Sequence, residues 1–169
     1  SYIPLITGIT SNVTCNGFSD GSIILSVTGG TPPYTYSWSN GATTQNISSL
    51  ASGNYTVLVT DAAGQFTNYT FFIYTPSPIT VTYSVTNPSA PGLSDGGVSV
   101  SVSGGTPQYS YYWVGPNNFN ATTQNLQNVL AGIYTFYVVD ANGCYSDTVF
   151  VNVDFVPSYN SNISEQIKI

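Results

Sequence analysis

Apolar residues along this chain alternate with polar ones in short runs. Ile23, Leu25 and Val27 do so, and Val98, Val100 and Val102 match them. Tyr34, Tyr36 and Trp38 form a second run that returns at Tyr109, Tyr111 and Trp113. Tyr55, Val57 and Val59 form a third, which returns at Tyr134, Phe136 and Val138. A period of two puts alternate side chains on opposite faces of a strand. Turn residues stand between the runs: Gly-Gly-Thr-Pro at 29–32 and 104–107, Asn40-Gly41, Asp61 to Gly64, and Asp140 to Gly143. Asx side chains and glycines at positive φ are what tight turns use. No stretch of useful length has a helical period. Short strands with turns every 8–12 residues or so predict an all-β sandwich.

The runs return because the sequence repeats. DGSIILSVTGGTPPYTYSW at 20–38 matches DGGVSVSVSGGTPQYSYYW at 95–113, an offset of 75. ATTQN at 42–46 returns at 121–125, and DAAG at 61–64 returns as DANG at 140–143, an offset of 79. Copy two therefore carries four extra residues, in the loop Gly115–Asn120. Such self-similarity marks a duplicated unit. The fold class predicted is two tandem Ig-like β-sandwich repeats. Their bounds are an N-terminal extension at 1–10, repeat one at 11–76, repeat two at 77–157 and a C-terminal tail at 158–169. Two prolines in TPSPI, between Tyr74 and Ile79, end one ladder and stiffen the junction.

Charge changes the picture by exclusion. Only 5% of residues are charged, with one basic residue (Lys168), seven acidic ones and no His. One lysine cannot neutralise a phosphate backbone, so nucleic acid is not a partner, and anionic lipid fails for the same reason. No apolar run approaches the roughly 20 residues of a spanning helix, so no membrane insertion is expected. A first residue that is Ser rather than Met points to a processed end, whether by signal-peptide removal or trimming. Solubility rests on Asn, Ser, Thr and Tyr, and few groups are present for pH to act upon. In strong acid the chain would be almost uncharged, which fits work in an acidic setting or simple compositional bias.

The same composition argues against catalysis. Without His there is no Ser-His-Asp or Cys-His arrangement, and two Cys alone do not make a zinc site. Asp20, Asp61, Asp95 and Asp140 sit at matching turns in the two copies, where a structural role is expected ahead of catalysis or calcium binding. No enzyme activity, metal or cofactor is expected. Lys–Asn isopeptide bonds need a buried lysine, and Lys168 lies at the extreme C-terminus, so none is expected within the repeats.

Six N-x-S/T sequons occur, at Asn12, Asn46, Asn54, Asn68, Asn120 and Asn162. N-linked glycans on the exposed ones would supply the hydration that charge does not, in a secreted archaeal or eukaryotic protein. A chain this rich in Asn, Ser and Thr also contains sequons by chance. At the N-terminus Ile3, Leu5 and Ile9 alternate along SYIPLITGIT. Two fates are open to this segment: first strand of repeat one, or donor strand inserted in a neighbouring subunit. Head-to-tail insertion does not close and builds a homopolymer. Ile163, Ile167 and Ile169 form a competing donor at the other end. Tyrosines are expected to pack in the core and across strands, with sugar binding as the alternative.

GGTPPYTYSW, NGATTQNISSL, GNYTVLVTDAAG and DANGC closely resemble the SprB-type repeat of bacterial surface adhesins, related to the polycystic-kidney-disease type of Ig-like domain. The resemblance covers roughly residues 10–155. It implies an extracellular β-sandwich used in adhesion or as a spacer. Such repeats usually hold one Cys near the start and another after the D-A-N-G turn. Copy one keeps Cys15 but has Gln65 at the second place; copy two keeps Cys144 but has Pro91 or a neighbour at the first. Neither copy can close its own bridge. A Cys15–Cys144 bond then needs the chain ends, or neighbouring subunits, to meet; the alternative is two free thiols. The short two-repeat layout is also similar in style to donor-strand-linked archaeal thread pilins. The leading expectation is therefore a non-enzymatic pilus or thread subunit in a cell-surface appendage serving adhesion and biofilm, with other cell surfaces as partners. The alternative is a monomeric repeat segment of a glycan-binding adhesin or of a surface-layer-associated protein.

Overall fold

The computed structural model describes residues 2–155. By contact the chain divides into two units. Unit 1 runs to Pro78 and takes in Gly104–Thr106 and Asn142–Cys144, while unit 2 holds Ile79–Ser103, Pro107–Ala141 and the chain from Tyr145. The boundary at Pro78 lies within the proline-rich junction that the sequence marks. Two short stretches of the second copy, at 104–106 and 142–144, group with unit 1. Gly105 N–H donates to the Ser77 carbonyl at 2.8 Å, and the Asn142 amide donates to the Thr14 carbonyl at 3.3 Å.

Unit 1 has six strands: β1 (Leu5–Ser11), β2 (Gly21–Thr28), β3 (Thr35–Trp38), β4 (Ile47–Leu50), β5 (Gly53–Thr60) and β6 (Phe66–Ile73). They form two sheets of order β1-β2-β4 and β3-β5-β6. Every pairing is antiparallel. One sheet takes the first, second and fourth strands and the other the third, fifth and sixth. This is the A-B-E and C-F-G division of an immunoglobulin-like sandwich. The alternating residues predicted to face inward do so. Ile23, Leu25, Trp38, Val57, Val59, Phe71 and Ile73 form one buried cluster between the sheets. Burial of such side chains contributes about 1.5–3 kcal/mol each.

Unit 2 repeats the plan with β7 (Thr80–Thr86), β8 (Gly96–Ser103), β9 (Ser110–Val114), β10 (Asn120–Ala121), β11 (Leu126–Val129), β12 (Gly132–Val139) and β13 (Val149–Val153). Its sheets run β11-β8-β7 and β10-β9-β12-β13. Val98, Val100, Trp113, Phe136, Val138, Val151 and Val153 build its core, with the Trp113 and Phe136 rings 4.1 Å apart. β10 has no counterpart in unit 1, where Asn40-Gly41 closes a tight turn and Gly41 N–H reaches the Trp38 carbonyl at 2.9 Å. The four extra residues instead form a 3-10 turn at Pro116–Asn118, after which Asn120 and Ala121 pair with Val114 and Trp113.

The recurring motifs hold the sandwich in the same way in each unit. Gln45 and Asn46 grip one strand residue: the Gln45 amide donates to the Leu25 carbonyl at 2.6 Å, and Asn46 Oδ1 accepts the Leu25 N–H at 3.0 Å. Gln124 and Asn125 do this to Val100 at 2.7 and 2.8 Å. The Trp38 indole N–H donates to the Thr44 carbonyl at 2.8 Å, and that of Trp113 to the Thr123 carbonyl at 2.9 Å. Side-chain amides and carbonyls thus stand in for ladder partners where the backbone leaves the sheet.

Residues 1–10 are not a separate extension. β1 pairs with β2 along its whole length, from Leu5 opposite Thr28 to Ser11 opposite Ser22. Of the two fates open to Ile3, Leu5 and Ile9, this single chain adopts the first: their segment pairs as the first strand of unit 1. The inward parity is the even one: Pro4 and Ile6 are buried, and the Phe71 ring lies against Gly8, where a Cβ would come within 2.6 Å of it. Ile3, Leu5 and Ile9 remain 57, 61 and 71% exposed. A period of two defines two faces without saying which is inside, and here both are apolar. The competing donor at Ile163, Ile167 and Ile169 lies outside the described residues, as does Lys168.

Candidate functional site

Each predicted site residue takes its place from this framework. Asp61 is buried at a turn and accepts N–H bonds from Thr31 (2.8 Å), Ala63 (3.0 Å) and Gln65 (2.8 Å). Burial disfavours its charge, but these donors and the Gly64 N–H outweigh it and hold the carboxyl below its ordinary range. Asp20 accepts the Thr14 hydroxyl and, at 3.0 Å, the Thr14 N–H; Asp95 does the same with Ser89, also at 3.0 Å to the N–H. Both are held low, chiefly by the hydroxyl bond. Carboxylate oxygens filled by N–H and O–H donors anchor turns and leave little for a cation. Among the described residues no three His, Cys, Asp or Glu side chains gather as a metal site.

Cys15 and Cys144 are joined by a disulfide, with an S–S distance of 2.06 Å and Cα atoms 5.6 Å apart. Both residues fall in unit 1 by contact, and both are buried.

The sequon asparagines fall into three groups. Asn12 and Asn46 have their side-chain oxygens engaged, by the Tyr74 and Leu25 N–H groups at 3.0 Å each. Asn54 on β5 and Asn68 on β6 are exposed on the outward side of one sheet, and the hydroxyls of their sequon threonines, Thr56 and Thr70, bond to each other at 2.8 Å. Asn120, on β10, donates to the Asn118 carbonyl at 2.9 Å. Asn162 lies outside the described residues.

Neither tryptophan is available to a ligand: Trp38 is 3% exposed and Trp113 1%. Exposed rings lie elsewhere. In unit 2 the Tyr112 and Tyr137 rings stack across β9 and β12, with centroids 5.0 Å apart and planes 13° apart. Tyr145 follows Tyr137 at 6.0 Å. Beside the stack is a recess of ≈ 380 Å³ that Tyr112, Tyr137, Asn120, Ala121 and Thr122 help to line. Sequence reasoning expected the tyrosines to pack in the core and across strands and did not single out Tyr112. The parity was the available signal, because Tyr111 shares the side of buried Trp113 and Tyr112 does not.

The two units are thus tandem Ig-like sandwiches, and comparison with known proteins adds the repeat type. A family model described as the SprB repeat matches residues 7–43 and 82–118, once in each copy. Over these two stretches, which together make up less than half of the chain, each copy is similar to the SprB repeat. No curated protein matches the chain. Several solved structures are similar to it, among them these two. One is the N-terminal eight Ig domains of Down Syndrome Cell Adhesion Molecule isoform 1.30.30, at 15% identity and a TM-score of 0.44 over 91% of this chain and 25% of that one. The other is an amphioxus IgVJ-C2 molecule, at 14% identity and a TM-score of 0.40 over 90% of this chain and 97% of that one. The chain spans about a quarter of the first.

Proposed function

We propose that this chain is a repeat segment of an extracellular surface adhesin, acting as a covalently tied spacer that holds binding surfaces away from the cell. One observation carries the reading. The residues duplicated most faithfully, from the Gln-Asn clasps to the turn aspartates, are engaged in holding the sandwich. What the repeat preserves is architecture rather than a reacting site. The disulfide suits an oxidising, extracellular setting. N-linked glycans are proposed on Asn54 and Asn68, whose outward sheet carries no charge to hold water. In the spacer reading β1 completes the sandwich of its own chain; in a filament the same strand would pair with a neighbouring subunit instead.

Surface labelling of intact cells with an antibody to the folded chain tests this, together with sedimentation of the purified protein. Labelled cells and a soluble monomer are expected. Labelling only after lysis would sink the reading, and filaments from the purified chain would restore the polymer.

A further inference from the structure

The four-residue insertion in copy two builds something that copy one lacks the parts for. The register places Tyr112 opposite Tyr137 on the outward face of the β10-β9-β12-β13 sheet. The matching positions in copy one are Ser37 and Leu58, also opposite each other. Copy two therefore has a ring stack where copy one has a hydroxyl and an aliphatic chain. The insertion then adds β10 to the same sheet, alongside β9. Because the sheet order is β10-β9-β12, β10 stands on the side of Tyr112 away from Tyr137. The Tyr112 and Tyr137 rings stack, and both line the ≈ 380 Å³ recess together with Asn120, Ala121 and Thr122.

We propose that this recess binds a neutral polysaccharide, one sugar lying against the Tyr112 ring with its hydroxyls toward Asn120 and Thr122. The lining combines the two chemistries such a ligand needs. A pyranose has an apolar C–H face that packs on an aromatic ring and a rim of hydroxyls that pair with amide and hydroxyl groups. Charge selects the class further. No residue lining the recess is ionisable at neutral pH, so a cationic ligand meets no carboxylate. The chain carries one basic residue against seven acidic ones, so an anionic polysaccharide meets only repulsion. The row continues through Tyr145, which is 72% exposed, and gives an extended chain a further ring beyond the first sugar. A second copy of the protein is the competing occupant, because Ile133 and Phe150 on this unit are also exposed, at 63 and 69%. The polar wall at Asn120 and Thr122 favours the sugar. This inference goes beyond the spacer reading, which stands whether or not unit 2 takes a ligand.

The test uses the full chain, oxidised and produced without N-glycans so that Asn120 is bare. Cellohexaose, laminarihexaose and mannohexaose are titrated with NMR detection, with hexagalacturonate as the charged counterpart. At least one neutral hexasaccharide is expected to shift the amide signals of Tyr112, Asn120 and Thr122. The double variant Tyr112→Ser, Tyr137→Leu installs the residues that copy one already carries in the same fold, and weakens binding about tenfold or more. Asn120→Ala, which leaves the rings in place, weakens it as well, and Leu58→Ala in unit 1 leaves it unchanged. The proposal is overturned by wild-type protein that binds none of the neutral sugars or only the galacturonate. Equal binding by the double variant, or a dimer that buries this face, overturns it too. None of these outcomes bears on surface location, so failure here is distinct from failure of the spacer reading.

Discussion

The hydroxyl of Tyr134 donates to the carbonyl of Leu130, four residues upstream, at 2.9 Å. Tyr55 makes the same bond to Ala51 at 3.0 Å. This is the tyrosine corner of immunoglobulin-like sandwiches, and it fixes the chain as it enters the strand that pairs with both neighbours of its sheet. The Tyr134 side chain is buried and edge-on to Phe119, at 5.4 Å. Tyr134→Phe keeps the packing and orphans one carbonyl, so urea unfolding of unit 2 is expected to show a loss of about 1–1.5 kcal/mol. Tyr55→Phe costs less because Tyr55 is only half-buried. Equal stability of Tyr134→Phe and wild type would show that water replaces the bond.

The Gln-Asn clasp gives a second expectation. Asn125→Ala removes the acceptor of the Val100 N–H and leaves Gln124 holding only the carbonyl. Val100 lies in the core, so the unpaired N–H costs about 1–3 kcal/mol, visible as a lower denaturation midpoint. Asn125→Asp retains an acceptor oxygen and recovers part of the loss. An Asn125→Ala protein as stable as its parent would mean that the clasp is decorative.

Cys15 and Cys144 are separated by 129 residues. Closing a loop of that length restricts the unfolded chain, an effect of up to about 5 kcal/mol in the chain-entropy model. The pair Cys15→Ser, Cys144→Ser is expected to lower the melting temperature, and reduction of the wild type to do likewise. Intact mass under non-reducing conditions should be lower by two hydrogens than after reduction. Free thiols that react with a maleimide in the folded, unreduced protein would contradict the bond.

Stability against pH should show a broad plateau. Asp20, Asp61 and Asp95 have folded pKa values below the ordinary 3.8. Their contribution is complete above that value and declines as pH falls through the lower folded ones. Tyr36 and Tyr134 are shifted the other way, above 10.0, chiefly by burial. Their contribution is complete below 10.0 and fades as pH rises through the folded values. Melting temperature measured across pH should therefore fall below about 3.8 and above about 10, and change little between. A sharp transition near pH 6 would contradict this, since the chain has no His.

The architecture was legible in the amino acids. Strict alternation marks much of the core, and duplication shows most motifs twice, which separates Trp38 and Trp113 from chance neighbours. A strand's period is local, so short windows suffice to read it. Three things were decided only by the folded chain. Which parity of residues 3–9 faces inward depended on Phe71, far along the sequence, covering Gly8. Whether Cys15 meets Cys144 depended on the path of the whole chain between them. What stands beside Tyr112 on the outward face, Tyr137 across the ladder and β10 on the other side, depended on strand order and register. Each of these is a question of which distant surface covers which side chain, and pairwise pattern along a sequence carries no information about that.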